Sequence, residues 1–169
     1  FLPSLLQGFA RGQANAQSIV VGRDMRSHSP ALAQAMIAGI TGYGANVIDI
    51  GMIDTPQIYF AINHFGACGG IQITASHNPA QYNGCKISGQ EARPISGDTG
   101  LMDIKKIATA LRHTEAAGQG TVTKEELTIP YRNHVLGFLK SGLKKLRIVV
   151  DASNGMAGKW VPEIYDGVN

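Results

Sequence analysis

Cysteine is scarce: Cys68 and Cys85 are the only two in 169 residues. They form no Cys-x-x-Cys pair and have no histidine at zinc-ligand spacing, so neither a disulfide framework nor a structural metal site is expected. Reduced thiols in a cytoplasmic protein are the default. Long hydrophobic runs are also missing. The longest nearly apolar stretch, residues 31–40, is broken by Gln34 and is too short to cross a bilayer, so no membrane partner is expected. Neither sign of charge dominates, since 15 basic and 12 acidic residues leave a formal +3. The basic residues are scattered, and their densest group, Lys140, Lys144, Lys145 and Arg147, has no aromatics interleaved with it. That group reads as a solvated face, and no nucleic-acid partner is expected. With aromatics at 7%, charged residues at 16% and hydrophobic residues at 44%, the chain is neither a disordered tail, a coiled coil nor a collagen-like rod.

Glycine is what the chain has in excess: 21 residues, gathered at the ends of apolar runs where they punctuate the backbone. The length suits one compact domain and the opening of another. Phe1-Leu2-Pro3-Ser4-Leu5-Leu6 lacks a basic leader and an initiator Met, so the start reads as a cut.

Apolar spacing predicts a helix over residues 2–11 and a short buried strand over 18–22. A polar turn, Arg23-Asp24-Met25-Arg26-Ser27-His28, separates this strand from a helix opened by Ser29-Pro30, with serine as cap and proline in the first turn. Leu32, Ala35, Met36, Ile40 and Tyr43 share one face of that helix, and Gly44 ends it. The unit repeats, with a strand over 46–50 closed by Gly51 and a Thr55-Pro56 helix running through Phe65. A third strand spans 69–75. Three strands joined by two helices argue for an α/β fold, a parallel twisted sheet covered on both sides.

Further on, residues 85–88 can pair as a short strand, and Asp98 can cap a helix carrying Leu101, Ile104, Ile107, Ala108 and Leu111. Residues 116–123, with Gly118 and Gly120, read as a linker. A helix over 129–143 precedes an apolar segment, 146–151, that reads as another buried strand. Gly155 and Gly158 then lead into a final helix. A strand, a turn and one helix cannot bury their own apolar faces, so the chain divides into a first domain, residues 1–143, and the beginning of a second, 144–169. The end of the chain also reads as a cut.

Ligands of parallel sheets gather beyond the carboxyl ends of strands. The loop richest in reactive groups there is Thr74-Ala75-Ser76-His77-Asn78-Pro79, at the end of the third strand. Ser76 offers a nucleophilic hydroxyl, His77 and Asn78 offer donors to a phosphate, and Pro79 stiffens the turn. Lys86, on the strand returning from the loop, can reach back toward it. A Ser-His hydrolase is disfavoured, because adjacent side chains rarely converge, no Gly-x-Ser-x-Gly elbow exists and no acidic partner orients the imidazole. Spacing alone also allows a plain turn in which Ser76 and Asn78 satisfy backbone groups.

Thr-Ala-Ser-His-Asn-Pro, followed by Tyr82-Asn83-Gly84-Cys85-Lys86-Ile87, closely resembles the phosphoserine loop of the alpha-D-phosphohexomutases, the phosphoglucomutases and phosphomannomutases. Val21-Gly22-Arg23-Asp24-Met25-Arg26 is similar to the family's first strand and turn, and Val149-Val150-Asp151-Ala152-Ser153-Asn154-Gly155 to the opening of its second domain. The resemblance implies a three-layer α/β/α fold with a mixed, mainly parallel sheet. It also implies that Ser76 carries the phosphoryl group and, once phosphorylated, supplies one ligand to a catalytic Mg2+. Lys86 is implied as general acid or base on the sugar hydroxyl, with His77 and Asn78 lining the phosphoserine. Ser76, His77 and Lys86 are thus the catalytic candidates, and Ser76, His77, Asn78 and Lys86 the phosphate-binding ones. Phosphoryl transfer asks for this division of labour: positioning, a cation at the moving group and a nearby proton acceptor.

The implied reaction passes a phosphoryl group from serine to a hexose phosphate, giving a hexose 1,6-bisphosphate that returns its other phosphate to serine. The segment Glu91-Ala92-Arg93-Pro94-Ile95-Ser96-Gly97-Asp98-Thr99-Gly100 looks most like bacterial phosphomannomutases, favouring mannose phosphates over the substrates of phosphoglucomutases and phosphoglucosamine mutases. The family's Asp-Gly-Asp-x-Asp-Arg metal loop, its Gly-Glu-x-Ser-Gly-His sugar loop and its distal phosphate loop do not occur in this sequence, nor does the N-terminal segment that brings an arginine near the phosphoserine. Taken alone, the chain is therefore expected to be inactive, with the remaining Mg2+ ligands outside it. Cys85 stands where the family often has a larger apolar residue, and a small buried thiol is expected there.

Three other features have plain readings. Ser153-Asn154-Gly155-Met156-Ala157-Gly158-Lys159-Trp160 imitates a phosphate loop, but Ser153 and Trp160 replace the residues that define one, so a structural turn is expected. Arg23 and Arg26 could reach a phosphate from the turn after the first strand, but Arg-Asp-x-Arg reads at least as readily as a local ion-pair and hydrogen-bond brace, and they stay outside the catalytic set. His28, His64, His113 and His134 are isolated and read as surface or helix-end histidines. The remaining alternative is a non-catalytic α/β ligand-binding domain such as a dinucleotide binder, which Gly-Arg-Asp-Met-Arg, lacking Gly-x-Gly-x-x-Gly, does not favour.

Overall fold

The computed structural model describes residues 18–110, 119–139 and 146–168. The helix expected over 2–11 lies outside them, as do His113 and the lysines at 140, 144 and 145. Three parallel strands form the centre: β1 (Ser18–Arg23), β2 (Asn46–Met52) and β3 (Gly69–Ile73). They are joined by α1 (Ser29–Gly42) and α2 (Thr55–His64), as the repeated strand-helix pattern predicts. β4 (Cys85–Gly89) runs antiparallel beside β3, and the five-stranded order is β4-β3-β1-β2-β5.

β1 shows why the sheet is covered twice. Ile19 and Val21 point into a core with Ala33 and Ile40 of α1, whereas Val20 joins Ile58, Ala61 and Ile62 of α2 on the opposite face. This is the two-residue alternation of a strand buried on both sides. The result is a three-layer α/β/α domain with a mixed, mainly parallel sheet.

β5 (Val122–Lys124) lies inside the segment read as a linker. It pairs parallel with β2, Val47 opposite Val122. Its entry is fixed by Asn46 Oδ1, which accepts from the Thr121 amide at 2.9 Å and the Thr121 hydroxyl at 3.0 Å. Main-chain pairing at a sheet edge needs no apolar alternation, so the polar, glycine-containing sequence hid it.

Two helix starts also differ from expectation. The N-cap of α1 is His28, whose side chain caps nothing, and Ser29 is already helical, its hydroxyl spent elsewhere. Asp54, not Thr55, caps α2, accepting from the Gln57 amide at 3.2 Å.

Downstream, α3 (Leu101–Ala110) follows two short 3-10 turns, and α4 (Thr128–Leu136) is shorter than the helix expected over 129–143. α5 (Ala157–Tyr165) packs with α4 and buries Trp160 and Ile164 in the α2-side core, beside Leu127 and Tyr131. Phe60 of α2 lies between His64, at 5.1 Å, and His134 of α4, at 4.9 Å, so these two helix-end histidines belong to an aromatic cluster. Residues 146–150, expected as a buried strand, form no ladder among the described residues, and Val149 is 96% exposed. Apolar, β-branched composition makes a strand only where a neighbouring strand is present to pair with it. No helix among the described residues is long and apolar enough to cross a membrane.

Candidate active site

The strand order fixes where a ligand can sit. From β1 the chain crosses by α1 to β2 on one side and later returns by α2 to β3 on the other. The turn after β1 and the loop after β3 therefore leave the sheet next to each other, at the switch point where open α/β sheets bind ligands. A cleft of about 730 Å³ opens there, lined by residues 24–27, Thr74, residues 76–78, Ala80 and residues 152–156.

Ser76 stands at this cleft with its side chain exposed and its backbone in the left-handed region, φ 55°. Its amide donates to Thr74 Oγ1 at 2.9 Å, which ties the turn to the end of β3. Its hydroxyl lies 3.3 Å from His77 Nδ1, so the two neighbours do converge, against the expectation from adjacency. No carboxylate orients the His77 ring among the described residues, and the arrangement is still not a hydrolase triad.

Asn78 faces the same cleft, but its side-chain amide donates to the Ala75 carbonyl at 2.7 Å and its backbone amide to the same oxygen at 3.0 Å. It closes the turn as well as lining it. Thus Ser76, His77 and Asn78 come together. Lys86 sits apart on β4, exposed, with no hydrogen bond to the Ser76 loop.

Arg26 carries the signal that sequence spacing understated. It does form the expected ion pair, Nε to Asp24 Oδ2 at 3.2 Å. It also spans to the Ser76 loop and donates to the carbonyls of Ser76, Asn78, Pro79 and Tyr82, at 2.7 to 3.1 Å. Arg23 makes no such contact and instead lines a separate cleft beside Asp49 and Lys124. Cys85, expected to be a buried thiol, is exposed at the head of β4, where the sheet edge leaves it uncovered. Ser153 forms the structural turn expected of it, its amide donating to Asp151 Oδ1 at 2.8 Å.

The described residues contain no group of three or more His, Cys, Asp or Glu able to hold a metal ion. Ser76, once phosphorylated, would bring a single ligand, so these residues do not by themselves fit a Mg2+ site.

A doubly covered α/β sheet presents a serine loop at its switch point, and comparison with known proteins narrows the class this arrangement belongs to. Residues 3–116 match the domain described as phosphoglucomutase/phosphomannomutase, alpha/beta/alpha domain I. The chain belongs to that family. Over 149 residues it is 44% identical to a phosphohexose mutase of Xanthomonas campestris pv. campestris, covering 86% of this chain and 33% of that protein. Over 151 residues it is 42% identical to a phosphomannomutase of Salmonella typhimurium, covering 88% of this chain and 33% of that one. A crystal structure of a phosphoglucomutase/phosphomannomutase family protein from Burkholderia thailandensis superposes with a TM-score of 0.77 at 30% identity, over 97% of this chain and 35% of the other. The chain spans about a third of the length of the curated relatives it matches.

Proposed function

We propose that this chain is the phosphoryl-carrying part of a phosphohexomutase, acting on hexose monophosphates within a longer protein. The observation that carries the reading is Ser76 itself, an exposed hydroxyl on a left-handed turn at the switch-point cleft, hydrogen-bonded to His77.

In the reaction, the bond between Ser76 Oγ and phosphorus breaks as a sugar hydroxyl oxygen forms its own bond to phosphorus. The leaving Ser76 Oγ takes a proton from a neighbouring donor, for which His77 at 3.3 Å is the candidate, so the products are free serine and hexose 1,6-bisphosphate. The sugar hydroxyl's proton passes to a base, for which Lys86 is the candidate. The bisphosphate then returns its other phosphate to Ser76 Oγ, whose proton leaves to a neighbouring acceptor, with His77 at 3.3 Å suitably near, while the freed sugar oxygen takes back a proton from Lys86. The net result moves phosphate between the 1- and 6-positions. Asn78 holds the turn, and a Mg2+ ion bound through the phosphoserine would draw its other ligands from residues beyond those described.

Mannose phosphates are the favoured substrates, supported by the segment 91–100 and by the names of relatives such as the Salmonella phosphomannomutase. The domain division, 1–143 and 144–169, belongs to the same reading.

Intact-mass measurement of the full-length protein tests it. One phosphoryl adduct is expected, lost in Ser76→Ala. An adduct that survives the substitution would show the carrier to be another residue. Rates on mannose 1-phosphate, glucose 1-phosphate and glucosamine 1-phosphate then rank the three mutase activities.

A further inference from the structure

We propose that Arg26 is a positioning residue for the phosphoryl carrier: its guanidinium sets the backbone of the Ser76 loop and takes no part in binding phosphate. The inference rests on the phosphohexomutase reading for what the loop does, but not for how it is held.

An arginine side chain has five N–H donors. In Arg26 all five are committed. Nε donates to Asp24 Oδ2 at 3.2 Å. Nη1 donates to the carbonyls of Pro79 at 2.8 Å and Tyr82 at 3.1 Å. Nη2 donates to those of Ser76 at 2.9 Å and Asn78 at 2.7 Å. A guanidinium beside an open cleft would ordinarily be read as an anion clamp. This one has no donor left for an anion unless it releases the loop.

Its own placement is fixed from behind. Arg26 and Asp24 side chains are only 12% and 8% exposed. Asp24 Oδ1 accepts from the Arg26 amide at 3.1 Å and from the Ser29 hydroxyl at 2.5 Å. That hydroxyl accepts in turn from Asn83 Nδ2 at 2.9 Å. One polar network therefore runs from the turn after β1 through the first residue of α1 to the far shoulder of the loop. This explains why the Ser29 hydroxyl caps no helix.

The loop needs such an anchor. Four carbonyl oxygens converge on one point, an arrangement that repels itself without a cation among them. Ser76 holds a left-handed backbone, which is unfavourable for a residue other than glycine. Strain of that kind persists only where the surroundings over-determine it. In-line phosphoryl transfer is sensitive to misplacement, and an error of about 1 Å can cost roughly 100-fold in rate.

Lysine separates positioning from charge. It keeps the positive charge but has three donors and no planar fork. In the full-length protein, Arg26→Lys and Arg26→Met are each expected to lower kcat by roughly 100-fold with KM for the hexose phosphate little changed. In both, amides of residues 76–82 should exchange hydrogen faster than in the wild type. Should Arg26→Met not fold, Arg26→Lys together with Asn83→Ala, which removes the links to the Ser29 hydroxyl and the Gly84 amide, carries the comparison, with faster loop exchange again expected. Near wild-type kcat in Arg26→Lys, or unchanged loop exchange in Arg26→Lys, would overturn the proposal. If the wild-type protein has no mutase activity, the phosphohexomutase reading fails, and the exchange measurement still decides how Arg26 holds the loop.

Discussion

Lys86 lies directly across the β3–β4 ladder from Gln72, so the two side chains leave the sheet on the same face. Gln72 is 1% exposed, and its Nε2 donates to the Ile53 carbonyl at 3.0 Å. Lys86, one strand nearer the edge, is exposed. The register thus fixes the root of the lysine and leaves the end of its side chain in solvent.

Replacing Lys86 with Ala should lower kcat of the full-length protein by roughly 100- to 10,000-fold, the range for a lost general acid or base. KM should change little. Steady-state kinetics on the preferred hexose phosphate checks this, and a raised KM with kcat intact would make Lys86 a binding group instead.

Gly120 is wedged against the turn between α1 and β2. Its amide donates to the Thr41 carbonyl at 2.9 Å, and a Cβ added there would run into the backbone carbonyl of Ala45. Gly120→Ala should therefore cost about 1–3 kcal/mol, the usual range for overpacking, and loosen β5. Urea unfolding gives the loss, and a midpoint equal to wild type would mean that β5 is not held at this point.

Cys68 sits at 1% exposure, its Sγ donating to the Ser18 carbonyl at 3.1 Å, and burial pushes its thiol up to about 11 from 9.0. The thiolate is the reactive form, so iodoacetamide at mildly alkaline pH should modify exposed Cys85 well before Cys68. A folded value above the unfolded one gives a stabilising contribution that is complete below pH 9.0 and lost as pH rises toward about 11. Cys68→Ala should flatten the fall in urea midpoint across that window. Equal alkylation rates for the two thiols would contradict the burial of Cys68.

The central strands were legible in the sequence because burial on both faces demands unbroken apolar runs, and Val20 between Ile19 and Val21 serves both cores. β5 was not, since its pairing runs through main-chain groups that any residue carries. Residues 146–151 show the converse, strand-like composition with no partner strand among the described residues. At the site, Ser76, His77 and Asn78 were readable as a motif. Arg26 was readable as half of a local ion pair or as a phosphate-reaching group but not as a loop anchor, because its carbonyl partners lie 50 to 56 residues away. Ser29 misled on a shorter scale: a serine before a helix looks like a cap until the carboxylate of Asp24 claims its hydroxyl.

The left-handed turn at Ser76 also decides between two alcohols that chemistry treats alike. Threonine would offer an equivalent nucleophile, but a β-branched side chain at φ 55° is a steric outlier, so the turn would have to open to accept it. Backbone shape rather than reactivity thus favours serine over threonine on this turn.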